Sequence, residues 1–261
     1  MNYILWALLI SVGINLVMFV PAYLLKTDKI TDVSYAVTFM VVALFGFMQS
    51  DKDVLHTAVL LLILAWALRL GSFLLLRIHK SGKDARFDGM REKFLLFLRF
   101  WVLQGATVFV VTLSALLAFT ATDTRPGLLS LLGAVLFLKG LLLETVADMQ
   151  KFTFTNKPSN KGKWIDVGVW RMSRHPNYLG EMMVWIGMYV LVYSSLSHAD
   201  RLWALASPLY IVGLLLFVSG IPILEKAANK KWGSEEDYKT YKKQVPVLLP
   251  SFSSVRRIRQ K

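Results

Sequence analysis

Long apolar runs alternate with short polar ones along most of this chain, and the runs have the length of a bilayer crossing. A helix rising about 1.5 Å per residue needs roughly 20 apolar residues to traverse hydrocarbon. Seven stretches read this way: residues 3–25, 33–48, 54–76, 94–121, 128–147, 180–197 and 202–224. The pattern predicts an all-α, polytopic membrane protein of seven transmembrane helices, folded as a single domain over residues 1–261. The first run is too long, and lacks the basic start, for a cleaved signal peptide. It is read as a retained span. The polar stretch "GSEEDYKTYKKQVP" predicts a short amphipathic helix, capped by Ser234 with Asp237 three residues on and ended by Pro246.

Charge then orients the layout. The inside loops at 26–32, 77–93 and 148–178, and the stretch after Leu224, carry 2, 6, 6 and 10 Lys and Arg residues. The opposite loops carry only Lys52, Arg125 and Arg201. Lys and Arg accumulate on the cytoplasmic face, so the N-terminus is expected outside and the C-terminus in the cytoplasm. The net charge of +13 therefore reports topology and contact with anionic lipid, not nucleic acid. Hydrophobic residues make up 55% of the chain, too many for a water-exposed surface. There is no cysteine, which removes disulfides, thiolate zinc sites and cysteine nucleophiles. His56, His79, His175 and His198 lack ligand spacing, so no metal is expected.

Some polar residues fall within or beside the oil. Arg69 and Arg99 lie near the cytoplasmic ends of their spans and are read as snorkelling or structurally paired. The run from Arg69 to Glu92 alternates basic and acidic groups, consistent with a headgroup-contacting loop or with a polar wall at a cavity entrance. The most informative stretch is 148–178, "DMQKFTFTNKPSNKGKWIDVGVWRMSRHPNY". Asp148 and Lys151 share one helix face. Pro176, which lacks an amide hydrogen, suits the first position of a helix. That helix would aim free N–H groups and its positive dipole end at the inside surface, beside Arg171, Arg174 and His175. The combination suits phosphate or carboxylate; an arginine-rich headgroup contact is the plainer reading. No glycine-rich dinucleotide fingerprint or P-loop is present.

Four motifs in order, "ETVADMQK" (144–151), "GVWRMSRHPNYLGE" (168–181), "SGIPILE" (219–225) and "DYKTYKKQVPVLLP" (237–250), resemble the steroid 5α-reductase family, in particular its bacterial members. Sterol C=C reductases and isoprenylcysteine carboxyl methyltransferases share versions of the second motif. The resemblance implies an NADPH-dependent oxidoreductase acting on the C=C bond of a hydrophobic enone, such as a 3-oxo-Δ4-steroid, with the cofactor held by residues 144–250. Residue by residue it assigns Asp148, Lys151, Asn160, Arg171, Arg174, His175, Asn177, Tyr178, Glu181, Glu225, Tyr238 and Tyr241 to the cofactor. Hydride would go to the β-carbon, so a proton donor is needed at the carbonyl. The Gln-Glu pair of the eukaryotic members is missing. Asp32, kept protonated in an apolar setting, and Tyr35 are the expected donors, although Asp32 reads equally well as a loop end at the membrane surface. An S-adenosylmethionine-dependent methyltransferase and a non-catalytic lipid-binding protein are the competing readings. The expected location is a bacterial inner membrane or, in a eukaryote, the endoplasmic reticulum.

Overall fold

The computed structural model describes residues 2–81, 87–122 and 124–256, so residues 82–86 of the charge-alternating run lie outside the described residues. The described residues contain helices and no strand. In order they are α1 (Asn2–Leu24), α2 (Thr31–Met48), α3 (Val54–Ser81), α4 (Phe94–Ala118), α5 (Leu128–Asn156), α6 (Pro176–Val192), α7 (His198–Ala204), α8 (Ala206–Gly213), α9 (Ile221–Trp232), α10 (Glu236–Gln244) and α11 (Phe252–Arg256). Six helical stretches among the described residues are long and apolar enough to cross a membrane: α1 to α5, and the continuous run His198–Trp232. The chain is thus a multi-pass integral membrane protein. The expected crossing at 180–197 falls on α6, a helix of 17 residues closed by a 3-10 turn at Tyr193–Ser195, and is not among the six.

The chain forms two compact units. The first comprises Met1–Gly133 and Met188–Ser207. Within it α1 packs on α4 and α2, and α2 packs on α3. Apolar contact alone cannot drive this inside lipid, where the surroundings are equally apolar, so buried polar pairs and close packing fix the arrangement. Asn15 Nδ2 donates to Ser11 O (2.8 Å) and Thr38 Oγ1 (3.1 Å), and Gln104 Nε2 donates to Asn15 Oδ1 (2.8 Å). Three helices are thereby joined through one buried asparagine. Phe19, Phe97 and Trp101 fill the space near the end of α1. Arg91 bridges Asp28 (2.8 Å) and Asp88 (2.9 Å), so its part of the charge-alternating run is ion-paired within this unit.

The second unit comprises Ala134–Gly187 and Pro208–Lys261. Here α5 and α6 cross with their backbones in contact. A Cβ on Gly180 would stand 2.7 Å from Gly140 O and Glu144 N, and one on Gly140 would stand 2.6 Å from Gly180 O. Only a hydrogen fits at either position, and the crossing sets Asp148 beside Asn177 (Asn177 Nδ2 to Asp148 Oδ1, 3.2 Å). The last apolar run carries a π-helical turn at Leu214–Val218. The helix then breaks at Ser219–Gly220, where Gly220 takes φ −100° and ψ −107°. With Pro222 in its first turn, α9 then presents Glu225, Ala228 and Trp232 on a single face. In α10, Tyr238 and Tyr241 are three apart and buried on one face. Its start differs from the expected capping box: Glu235 occupies the N-cap and makes no side-chain capping bond, because Ser234 lies in the preceding turn.

Gly180→Ala is expected to lower stability by about 1–3 kcal/mol, since the clash is with backbone that cannot turn aside. Gly13→Ala, where nothing lies within 4 Å, should be neutral or mildly stabilising. Thermal unfolding of both variants in detergent measures the difference.

Candidate functional site

Glu225 organises the polar end of the second unit. Its Oε2 lies 3.0 Å from Arg174 Nη2, and its Oε1 lies 3.0 Å from His175 Nε2. Arg174 and His175 are delivered by a loop that is itself tied down. Gly168 adopts φ +54°, a left-handed conformation favouring glycine, and leaves no room for a side chain against Gln150. Gln150 Oε1 accepts from Val169 N (3.0 Å), and Trp170 Nε1 donates to Ala147 O (2.9 Å). The loop therefore returns to the end of α5, and Pro176 starts α6 immediately after His175.

Three further contacts close the arrangement. Arg174 Nη1 donates to Lys242 O (3.1 Å), Tyr241 OH donates to Trp170 O (3.2 Å), and Arg174 N donates to Pro246 O (3.0 Å). Trp164, Trp232, Tyr238 and Tyr241 form an aromatic frame, with Trp164 and Tyr238 rings 5.2 Å apart and inclined at 65°. Trp232 Nε1 donates to Gly162 O, holding the loop turn against α9. Lys151 Nζ sits 4.9 Å from the Trp170 ring centre, a cation–π contact.

Together these residues enclose a cavity of about 290 Å³ within the second unit. Its walls include Lys151, Trp164, Arg174, His175, Glu225 and Tyr241. Two buried nitrogens on that wall, Arg174 Nε and His175 Nδ1, have no hydrogen-bond partner. Buried polar groups are rarely left unmatched without a reason, and both atoms lie below the cavity surface. Ligand pockets typically measure about 300–1,000 Å³, so this space suits one part of a dinucleotide rather than a whole one enclosed.

Burial pushes the His175 pKa below its ordinary 6.5; the hydrogen bond and charge of Glu225 oppose this, while Lys151 and Arg174 reinforce it. His175 is therefore neutral at pH 7 and donates Nε2–H to the Glu225 carboxylate, which leaves Nδ1 with a free lone pair. Burial also raises the Tyr238 and Tyr241 hydroxyls, so both stay protonated donors.

Of the residues anticipated for a cofactor, Lys151, Arg174, His175, Glu225, Tyr238 and Tyr241 line the cavity. Tyr178 stands behind, its ring stacked on His175 at 5.7 Å and 9°. Asp148 and Asn177 are paired with each other. Glu181 lies in the second turn of α6, outside the cavity wall. Asn160 and Arg171 are outside it as well: Asn160 Nδ2 donates to Phe154 O (3.0 Å) and Arg171 Nε to Asp166 O (3.1 Å). Both side chains are used to hold the loop's own shape. Asp32 and Tyr35 belong to the first unit, and the cavity is built from the second alone. Asp32 Oδ2 accepts from Arg77 Nη2 at 2.9 Å, a partner the sequence reading does not include. Tyr35 packs its ring edge-on against Phe39 at 5.0 Å. Trp164 and Trp232 were not anticipated, since a tryptophan in a basic loop or at a helix end gives no signal until its partner is known. Among the described residues, no group of three or more His, Asp or Glu side chains could hold a metal ion.

The titration of His175 has a stability consequence. The unfolded imidazole takes up a proton near pH 6.5, the folded one only at lower pH, so the unfolded state binds more protons in between. Stability present above pH 6.5 is lost as pH falls through that window. Melting temperatures in detergent should drop on acidification there, and His175→Gln should flatten the drop relative to the parent protein. Parallel curves for the two would remove His175 as a source of the dependence.

None of the curated proteins and none of the solved structures matches this chain. A family model does match, over residues 18–245, and its description is a protein of unknown function, DUF1295. With most of its length inside that match, including Arg174, His175, Glu225 and Lys242, the chain belongs to this family.

Proposed function

We propose that the protein is a membrane-embedded, NADPH-dependent reductase of the C=C bond of a hydrophobic enone, akin to a steroid 5α-reductase. The observation that carries the reading is the wall of the 290 Å³ cavity: Lys151, Lys163, Arg174 and Lys231 set around the carboxylate of Glu225 and an aromatic frame. A phosphorylated dinucleotide offers oxygens to the guanidinium and lysine, and flat rings to Trp164 and Tyr238. The family's inclusion of steroid 5α-reductase-like membrane proteins supports the same reading. So do the basic inside loops, which favour an outside N-terminus, seven crossings with α6 as a short one, and a cytoplasmic cavity.

When bound, the reduced nicotinamide supplies the hydride. The chain's own part is to bind and orient. Arg174 and Lys151 attract the phosphates, while Glu225 fixes the Arg174 fork and the His175 tautomer so that neither must reorganise. Tyr241 braces the loop through Trp170 O, and the aromatic frame offers flat apolar faces to the cofactor's rings.

Thermal stability in detergent tests the reading. NADPH at a hundredfold excess over its Kd should stabilise the protein by about 2.7 kcal/mol. A shift with S-adenosylmethionine and none with NADPH would transfer the site to a methyltransferase, and no shift with either would leave a lipid-binding protein. Arg174→Ala, losing a charge-assisted contact of about 1.5–3 kcal/mol, should weaken NADPH roughly tenfold or more. Unchanged affinity in a folded variant takes Arg174 out of the site.

A further inference from the structure

Residues 246–256 lie beyond the last of the six apolar stretches, yet they carry large apolar side chains in the open. Phe252 is 94% exposed and Leu249 70%, with Val247 and Val255 also on the surface. Four such side chains within nine residues are costly in water and mark a contact surface.

Hydrogen bonds fix where this stretch sits. Pro246 O accepts from Arg174 N (3.0 Å), Val247 O accepts from Ser173 Oγ (3.4 Å), and the fully buried Ser254 donates Oγ to Met172 O (3.0 Å). All three anchors fall in residues 172–174. That loop is tied in turn to Ala147 O through Trp170. Ala147 ends the apolar part of α5, and Asp148, Gln150 and Lys151 follow it. The stretch is therefore held at the depth where a membrane-crossing helix passes from hydrocarbon to polar headgroups. Its own charge is basic: after Asp237 the sequence contains no acid, Arg256 is exposed, and Arg257, Arg259 and Lys261 follow it in sequence, whereas Lys239 is paired with Glu236 and Lys242 is bonded to Asn229.

We infer that residues 247–256 form an interfacial membrane anchor, with Leu249, Phe252 and Val255 immersed among acyl chains and Arg256 beside them meeting anionic phospholipid headgroups. Apolar immersion combined with attraction to anionic lipid is the usual physics of such segments. A second consequence follows from the same bonds. Arg174, on the cavity wall, donates its N–H to Pro246 O, so the anchor begins one residue after a bond to that wall. The anchor itself does not depend on what the cavity binds.

The chain has no cysteine, so single-site spin labelling needs no background removal. Leu249→Cys, Phe252→Cys and, as a water-facing control on α10, Lys243→Cys would each carry a nitroxide in nanodiscs. The first two side chains are exposed, so their replacement removes no internal packing. Collisions with oxygen should exceed those with a water-soluble nickel chelate severalfold at 249 and 252, and the order should reverse at 243. The oxygen excess should grow when phosphatidylglycerol is added to zwitterionic lipid and shrink at high salt, which screens exposed charge within a few ångströms. Nickel collisions dominating at 249 and 252 in both lipids would overturn the anchor. So would a label shielded from both reagents, which would point to a protein partner or a second copy. An oxygen excess indifferent to phosphatidylglycerol and salt would overturn the anionic-headgroup part.

Discussion

A single carboxylate holds the polar half of this molecule together. Glu225 stands at the end of a long apolar run, where an unpaired charge is expensive. Arg174 and His175 meet its two oxygens, and Arg174 reaches on to a carbonyl at the end of α10. Three segments far apart in sequence thus share one ion pair. Removing either partner would strand a charge in a half-buried place, which costs more than the pair itself contributes. The pair is therefore better understood as fixing an arrangement than as adding stability.

The remainder of the second unit serves that geometry. Glycines at 140 and 180 let α5 and α6 touch, which sets the height of Pro176 and of the two residues before it. A π-helical turn at Leu214–Val218 and the break at Ser219–Gly220 precede α9, which carries Glu225 on the cavity side. Trp170, bonded to the end of α5, closes the loop from the other side. Each device is local and cheap, and together they set Arg174, His175 and Glu225 on the wall of one small cavity. The first unit solves a different problem, joining helices in lipid through Asn15 and the side chains it bonds.

Much of this was readable before any coordinates. Apolar length alone located α1 to α5, and the proline of RHPNY marked the start of α6. Residue type and order brought Lys151, Arg174, His175, Glu225, Tyr238 and Tyr241 onto one list, and they line one cavity. What failed to show was anything decided by pairing. Asn160 and Arg171 have suitable chemistry, but their donors are taken by Phe154 O and Asp166 O, which no spacing rule reveals. Asp32 looked available until Arg77, 45 residues on, appeared beside it. Hydropathy also cannot see a π-helical turn, because inserting one residue changes facing without changing composition. Trp164 and Trp232 were invisible for the related reason that an aromatic frame exists only between segments.

The central claim is that the space bounded by Glu225, Arg174 and the tryptophans holds a reduced nicotinamide dinucleotide. Trp164, Trp170 and Trp232 all border it, so a bound reduced nicotinamide would accept energy from them. Exciting tryptophan and recording nicotinamide emission during an NADPH titration tests this most directly. The account predicts saturable sensitised emission in the parent protein and its loss, or a much weaker binding curve, in folded Glu225→Gln. Tight NADPH binding without sensitised emission, or the same curve in the variant, would contradict it.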